Sequence, residues 1–334
     1  MSKISWRLLE SAAKSYKRIL ITSHVRPDGD ALGSELAAAA LLKAMGCRCK
    51  IINVSPTPGN LFFLDPKGTK FHLWTEKNTS SWIRKNFDAA LVVDTSSQIQ
   101  LDKAAEPILT SALPLIIIDH HTVGDKFNAL LLCNNKADST GLLITQAFEA
   151  LNIPISAATA QALFTAICTD TGWFRFPSVK PETFTAAAKL VECGAHPAKL
   201  YANLFEKYPF ARLKMQGVIM NNAKQYFNDK LIISFAKQSD FEKYNASPAD
   251  LEGIINQLLT IAGTEVAIIL TQQVDSSSRN IVKLNFRSKT SFNVAELAKS
   301  FGGGGHVQAS GASVVADSIE QIYKSVLKKL EGKL

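Results

Sequence analysis

The sequence lacks the features of secreted and membrane-spanning proteins. It holds only five cysteines among 334 residues, and none of them forms a C-x-x-C pair. Cys47 and Cys49 fall on one side of a predicted strand, a spacing more typical of packed thiols than of a disulfide or a metal clip. The apolar runs are too short or too interrupted to span a bilayer, and residues 1–7 contain no signal-peptide core. We therefore predict reduced, non-catalytic thiols in a cytoplasmic protein with no membrane partner.

Acidic residues are also in short supply, since 29 of them face 37 lysines and arginines and leave a net charge of +8. Such an excess favours anionic ligands such as phosphates, although many soluble proteins are mildly basic. The hydrophobic content of 46% and charged content of 20% fit a soluble globular chain. Its length is enough for two domains. No Ser-His-Asp arrangement is visible, and no protein nucleophile is predicted.

The first part of the chain alternates strands and helices, which predicts an α/β fold with a doubly wound, mostly parallel sheet. An opening helix is expected over 3–17, and strands near 18–24, 47–54, 89–94 and 114–119. Residues 138–224 are expected to be almost entirely helical. The rest predicts a smaller α+β domain, with strands at 231–236, 265–271, 281–286 and 311–316 and helices at 249–260, 293–300 and 318–330. The expected division is a metal-binding catalytic domain over 1–196, a helical connector over 197–224 and a substrate-binding domain over 225–334.

Acidic and histidine residues follow apolar runs at four places in the first domain. These residues are His24, Asp28 and Asp30, then Asp94, then Asp119, His120 and His121, and finally Asp170. In an open α/β sheet, ligands gather outside the carboxyl ends of the strands, so these side chains can converge. Carboxylates crowded that closely repel one another unless cations lie between them, and carboxylate with imidazole suits Mn²⁺, Mg²⁺ or Zn²⁺. The pattern predicts a two-metal hydrolytic site.

Each of these motifs alone has a simpler explanation. An Asp-Gly-Asp turn such as 28–30 is typical of solvated surface loops, and Asp170 can simply end a helix. The triplet at 119–121 is more specific, because two adjacent histidines after three isoleucines would make a poor core. Neighbouring side chains of an extended backbone point apart, so one histidine can bind metal while the other faces substrate. Asp119 is then expected to orient an imidazole rather than to bind metal.

A run of glycines, Gly302 to Gly305, precedes His306 in the second domain. Such a run is more often a flexible loop, but it can also form a nest of backbone N–H groups that holds an anion. Residues expected to contact substrate phosphate are Arg287, Ser288, Lys289, Gly303, Gly304, Gly305 and His306, with Arg175 contributing from the first domain.

These motifs resemble the four motifs of the DHH phosphoesterase superfamily, and Gly303-Gly304-Gly305-His306 with Ala309-Ser310-Gly311 resembles the signature of the DHH-associated C-terminal domain. The resemblance covers nearly the whole chain. It implies that His24 and Asp28 hold one metal, that Asp30, His120 and Asp170 hold the other, and that Asp94 bridges both. It further implies that His121 faces the scissile phosphate, and that Arg287 and His306 grip the far end of the substrate. Two Mn²⁺ ions are the implied cofactors, with Mg²⁺ or Co²⁺ as substitutes.

The short members of this superfamily imply an exoribonuclease that degrades oligoribonucleotides (nanoRNA) to mononucleotides and converts 3′-phosphoadenosine 5′-phosphate (pAp) to AMP. Short single-stranded RNA, or DNA, and pAp are the implied partners. The oligomeric state is left open, with a homodimer as one alternative. The nearest alternative is a phosphodiesterase for cyclic dinucleotides such as c-di-AMP or for linear dinucleotides. A pyrophosphatase should lack the glycine-rich signature, and nucleases of the RecJ type are usually larger. A catalytically inactive nucleotide-binding module is the alternative outside the enzymes.

Overall fold

The computed structural model describes residues 4–121, 124–274 and 279–334, which divide into two compact units at Lys207 and Tyr208. This division falls inside the segment 197–224 that was expected to connect the domains. None of the helices in the described ranges is long and apolar enough to cross a membrane.

The first unit is built on a sheet of six parallel strands in the order β3-β2-β1-β4-β5-β6. Its strands are β1 (Arg18–Thr22), β2 (Arg48–Asn53), β3 (Phe71–Leu73), β4 (Ala89–Val93), β5 (Leu115–Asp119) and β6 (Ala129–Cys133). The helices are α1 (Arg7–Ser15), α2 (Gly29–Ala44), α3 (Ser80–Asn86), α4 (Gln98–Leu101), α5 (Ala105–Thr110), α6 (Thr140–Ala150), α7 (Ala157–Asp170), α8 (Pro181–Glu192) and α9 (Pro197–Phe205), with 3₁₀ turns at Gly59–Leu64 and Asp102–Ala104.

Both faces of this sheet are buried, as its apolar strand sequences predict. Ile19 and Ile21 of β1 face the layer that contains α2, α6 and α7. Leu20, between them, faces the layer that contains α3 and α5. Strand order reverses between β1 and β4, and this reversal is where ligands bind in doubly wound sheets. The predicted α/β, doubly wound architecture is confirmed.

The second unit contains a mixed sheet in the order β11-β12-β10-β9-β8-β7, in which β8 and β9 pair in parallel and the other pairs are antiparallel. Its strands are β7 (Lys224–Tyr226), β8 (Leu231–Ala236), β9 (Val266–Val274), β10 (Asn280–Ser288), β11 (Gly304–His306) and β12 (Ala309–Val315). Its helices are α10 (Phe210–Asn221), α11 (Gln238–Lys243), α12 (Ile255–Leu258), α13 (Val294–Lys299) and α14 (Ile319–Leu330), with a 3₁₀ turn at Pro248–Leu251.

One predicted helix of the second unit is wrong in extent. The helix expected over 249–260 is divided into the 3₁₀ turn and α12, and Gly253 between them has a φ of +76°. A residue in this left-handed region cannot continue a right-handed helix, and glycine adopts it without steric cost. The predicted α+β character of this part of the chain is nevertheless confirmed.

Candidate metal centre

The candidate site lies at the carboxyl ends of β1, β4 and β5, where the strand order reverses. His24 follows β1, and Asp28 caps α2 by accepting hydrogen bonds from the N–H groups of Asp30 and Ala31 at 3.0 and 3.1 Å. Asp94 follows β4 directly. The four chain segments that the sequence singled out therefore meet at one edge of the sheet, with Asp170 arriving at the last turn of α7.

Asp94 is the central side chain of this arrangement. It is 2% exposed and has a φ of +61°, a left-handed conformation that is uncommon outside glycine and is typical of functional sites. Its Oδ2 lies 3.4 Å from the Nε2 of His24, and its Oδ1 lies 3.6 Å from the Nε2 of His120. Asp94 thus presents one oxygen to each side of the site.

The side chains around Asp94 form groups whose ligand atoms all lie within 4.8 Å of one another. One group contains His24, Asp28 and Asp94, a second contains Asp30, His120 and Asp170, and a third joins Asp94 with His120 and His121. In the second group the Nε2 of His120 lies 3.3 Å from the Oδ2 of Asp170 and 3.9 Å from the Oδ2 of Asp30. Separations of this size fit carboxylates and imidazoles that surround a cation.

The histidine orientations support this reading. The Nδ1 of His24 lies 3.0 Å from the carbonyl oxygen of Val25. Its Nε2, which lies toward Asp94, is therefore the nitrogen that is left to bind a metal. The Nδ1 of His120 lies 3.4 Å from the carbonyl oxygen of Ala137. Its Nε2 is buried and has no hydrogen-bond partner among the described residues. An imidazole held by a carbonyl at one nitrogen and left bare at the other is the usual arrangement of a metal-binding histidine.

His121 has different surroundings from its neighbour. The Oδ1 of the fully buried Asp119 accepts hydrogen bonds from its Nδ1 at 2.7 Å and from its backbone N–H at 3.1 Å. The side chain of His121 is 52% exposed, compared with 14% for His120. The expectation that the two rings point apart is wrong, because the strand ends at Asp119 and the ring centroids lie 4.4 Å apart.

The N-terminus of α6 supports the site in a way that sequence reasoning missed. The N–H groups of Thr140 and Gly141 donate to Asp30 at 2.7 and 2.8 Å, and the Oγ1 of Thr140 donates to the Oδ1 of Asp94 at 3.0 Å. The hydroxyl of Ser34 adds a third donor to Asp30. The available signal was the start of the predicted helical region at residue 138, because a helix N-terminus favours anions.

Close helix packing makes these contacts possible. A Cβ at Gly141 would lie 2.5 Å from the Cβ of Ala166, and a Cβ at Gly33 would lie 2.4 Å from the carbonyl oxygen of Ala162. Helices α2 and α6 therefore approach α7 more closely than a larger side chain would allow. This approach brings Asp30 and Asp170 to the same group.

The buried carboxylates of the site repel one another, and a nearby positive charge would stabilise them. Burial, followed by the carboxylates of Asp94, Asp170 and Asp28, raises the pKa of Asp30 well above its usual range. Burial and the charges of Asp94 and Asp28 raise the pKa of Asp170 to about 7. Although burial opposes it, contact with Asp28 and Asp94 raises the pKa of His24 to about 11. Cations among these carboxylates would relieve the repulsion and hold them ionised.

Arg175 follows this site by five residues and is exposed, with its guanidinium 5.5 Å from the ring centroid of Phe176. The intervening residues Gly172, Trp173 and Phe174 all have positive φ, at +56°, +61° and +64°. Left-handed backbone is costly for two bulky aromatic residues, and such strain is concentrated at functional sites.

The predicted substrate-binding residues of the second unit do not all lie on one surface. Arg287 is half-buried on one face of β10, and its guanidinium donates to the side-chain oxygen of Asn285 and the carbonyl of Phe286 at 3.0 Å. Ser288 lies on the other, buried face and its hydroxyl contacts Thr290. The Nζ of Lys289 donates to the carbonyls of residues 259 and 261.

Part of the glycine run lies at the edge of the sheet, since Gly304, Gly305 and His306 pair with β12. A Cβ at Gly303 would lie 2.1 Å from the carbonyl oxygen of Gly311, so this position has no room for a side chain. His306 is exposed. A cavity of about 700 Å³ within this unit is lined by Gly303 together with Lys283 and Asn285, which share the face of Arg287.

Comparison with known proteins agrees with this geometry. Residues 18–167 match the model of the DHH family, N-terminal domain, and residues 228–332 match the DHHA1 domain. The chain is 28% identical over 320 residues to the bifunctional oligoribonuclease and PAP phosphatase NrnA of Thermus thermophilus, a match that covers 95% of this chain and 90% of the relative.

Two solved structures share the fold. An exopolyphosphatase-related protein from Bacteroides fragilis superposes with a TM-score of 0.86 at 24% identity, covering 97% of this chain and 96% of the other. The exonuclease RecJ bound to manganese superposes with a TM-score of 0.55 at 15% identity, covering 98% and 94%. With both domain models matched in order, the chain belongs to the DHH family and carries a DHHA1 domain after its DHH domain.

Proposed function

We propose that this protein is a metal-dependent phosphoesterase that hydrolyses short oligoribonucleotides to mononucleotides and pAp to AMP. The observation that carries the proposal is the position of Asp94, which offers one oxygen to His24 and the other to His120 at the strand-order reversal. The name of the similar Thermus protein supports the choice of substrates.

Two Mn²⁺ ions are the proposed cofactors. His24 and Asp28 would hold one ion, Asp30, His120 and Asp170 would hold the other, and Asp94 would contact both. An all-oxygen and imidazole donor set suits Mn²⁺, and the bare, buried Nε2 of His120 fits a ligand role. When bound, the ions would activate water and neutralise charge on the phosphate.

We assign His121 to the phosphate rather than to a metal. The hydrogen bond with Asp119 raises the pKa of His121 above its usual value, although burial acts in the opposite direction. An exposed imidazole that a buried carboxylate holds in one orientation can donate a hydrogen bond from its other nitrogen and stabilise negative charge on the non-bridging oxygens. Asp119 therefore serves as a positioning residue.

Substrate recognition is proposed for Arg175 in the first unit and for Arg287, His306 and the glycines 303–305 in the second. Burial lowers the pKa of Arg287, but a guanidinium stays charged and can form a bidentate contact with phosphate. Ser288, which is buried on the other face of β10, and Lys289, whose Nζ donates to the carbonyls of residues 259 and 261, stay predictions from the sequence alone. The five free thiols are consistent with the reducing cytoplasm, which we propose as the compartment.

A substrate panel tests this proposal directly. Hydrolysis is measured once in the presence of Mn²⁺ and once in the presence of chelator. The substrates are pAp, an RNA dinucleotide, a DNA dinucleotide, an RNA five-mer, an RNA 24-mer, c-di-AMP and pyrophosphate. We expect pAp and the short RNAs to turn over fastest, only with metal. The variant Asp94→Asn should lose this activity, whereas Asp102→Asn, at an exposed site, should retain it. Preferred turnover of c-di-AMP or pyrophosphate, or activity in chelator, contradicts the proposal.

A further inference from the structure

Glu35 is a buried carboxyl group that the proposed hydrolysis does not use. It lies in the second turn of α2 and is fully buried. Among the described residues, no lysine or arginine forms an ion pair with it. Its Oε2 accepts a hydrogen bond from the Nδ2 of Asn53 at 2.8 Å, whereas its Oε1 has no hydrogen-bond partner in the part of the chain that the structure describes. A buried polar atom without a partner destabilises the fold, so its presence calls for an explanation.

Glu35 and Asn53 meet Ser23 at the carboxyl ends of β1 and β2. The parallel register pairs Ile21 with Ile51, so Ser23 and Asn53, each two residues further along, lie side by side on the face that α2 covers. The Ser23 hydroxyl lies close enough to Glu35 to favour its ionised form. The Oγ of Ser23 and the Oδ1 of Asn53 are buried and, within the described ranges, also lack a hydrogen-bond partner. Three elements therefore bring polar side chains to one enclosed place.

The hydrogen-bonding groups of this cluster favour an uncharged Glu35. A carboxylate only accepts hydrogen bonds, whereas a protonated carboxyl group also donates one. Ser23 can donate a single hydrogen bond, too few for the unpaired oxygens of both Glu35 and Asn53. Burial raises the pKa of Glu35 to about 8, although Asn53, Ser23 and His24 act in the opposite direction. An uncharged acid can join the three side chains without an unpaired charge in the core.

The cluster adjoins the first group of proposed metal ligands, which contains His24, Asp28 and Asp94. Ser23 directly precedes His24 in the chain. Glu35 follows Asp28, the cap of α2, by seven positions or about two helical turns. A link between Glu35 and Ser23 therefore ties the first half of α2 to the end of β1. His24 lies between these two elements, so the link restricts where its imidazole can lie.

We propose that Glu35 is a positioning residue of the metal centre, which acts as an uncharged hydrogen-bonding group toward Ser23 and Asn53 and so fixes the segment that carries His24. The inference rests on the proposed metal centre, but it does not depend on the identity of the substrate. Glu35 itself contacts neither metal nor substrate in this assignment. Residues that orient metal ligands change metal affinity by roughly 10- to 100-fold when they are replaced.

Calorimetric titration of the full chain with Mn²⁺ tests this role. Glu35→Leu, which has no polar side-chain atoms, should bind Mn²⁺ at least about ten-fold more weakly than wild type. Glu35→Gln should bind like wild type, because an amide donates and accepts hydrogen bonds without a charge. The control is Leu41→Ala, a cavity-forming change at another fully buried position of α2. It should lower stability and leave the affinity for Mn²⁺ unchanged.

A double-mutant cycle shows whether the effect passes through His24. In the His24→Ala background, Glu35→Leu should cause little further loss of Mn²⁺ binding, because the ligand that it positions is already missing. Ser23→Ala removes a single hydroxyl and should weaken Mn²⁺ binding in the same direction. This milder variant keeps the test decisive if circular dichroism shows that Glu35→Leu is unfolded.

A wild type that binds no Mn²⁺ would overturn the proposed metal centre together with this inference. If wild type binds Mn²⁺, other results overturn this inference alone. They are wild-type affinity in Glu35→Leu or in Ser23→Ala, an equal loss in Glu35→Gln and Glu35→Leu, a loss in Leu41→Ala as large as in Glu35→Leu, and an undiminished effect of Glu35→Leu in the His24→Ala background.

Discussion

The hydroxyl of Thr140 donates to the Oδ1 of Asp94 over 3.0 Å, and both side chains are buried. This bond joins the first residue of α6 to the residue after β4. The same threonine donates its backbone N–H to Asp30. One position thus orients two carboxylates that belong to different metal-ligand groups.

We therefore expect Thr140→Val to weaken Mn²⁺ binding and lower kcat, by roughly 10- to 100-fold as for other residues that orient metal ligands. Thr140→Ser should restore most of the loss, because it keeps the hydroxyl. Thr145→Val is the matched control: Thr145 is a buried threonine one turn along α6 that donates to the carbonyl of Gly141. Equal effects of the two valine variants on metal affinity would show that only helix packing is involved.

The adjacent histidines should separate by experiment. His120→Ala should lower metal occupancy, because it removes a ligand atom that lies within 4 Å of Asp30, Asp94 and Asp170. His121→Ala should keep the metals and slow hydrolysis, because we assign its half-exposed ring to the substrate phosphate rather than to a metal. Metal titration beside kinetics measures both effects. If both variants lose metal to the same extent, the division of roles is wrong.

The stability of the metal-free protein should depend on pH through Asp170. Its pKa is raised to about 7 in the folded state, whereas an unfolded aspartate titrates near 3.9. The contribution of this group to the free energy of unfolding is therefore fully present below pH ~4, where the acid is neutral, and is lost as the pH rises to about 7. With chelator present, urea unfolding should show lower stability at pH 7.5 than at pH 5.

In Asp170→Asn this loss should be smaller, since the amide stays neutral, and part of the slope should persist because the pKa of Asp30 is raised as well. Adding Mn²⁺ at pH 7.5 should restabilise wild type. The control Asp102→Asn, at an exposed position, should follow wild type. An unchanged slope in Asp170→Asn contradicts the assignment.

Arg287→Ala should raise KM for short 5′-phosphorylated RNA with little change in kcat, because a phosphate contact made equally in ground and transition states affects binding alone. A small generic phosphodiester should be hydrolysed as by wild type. Lys328→Ala, an exposed cation of α14, is the charge-matched control. If Arg287→Ala impairs both substrates equally, this residue does not recognise the far phosphate.

The sequence by itself determined the fold class and the candidate ligands. Apolar runs that stop at Asp94 and at Asp119 could be recognised because strands buried on both faces read as continuous hydrophobic segments. The resemblance to the DHH motifs supplied the residue roles that remain to be tested. Asp28 was recognised as a candidate ligand, and the structure shows that it also caps the first turn of α2.

Only the tertiary structure decided which residues support these ligands. Thr140 lies 46 positions from Asp94 in the chain, and no local pattern reports a contact of that separation. The contact of the His120 and His121 rings depends on where β5 ends, and the break at Gly253 depends on its backbone conformation. These features arise from packing between distant segments, whereas a sequence pattern records only the preferences of neighbouring residues.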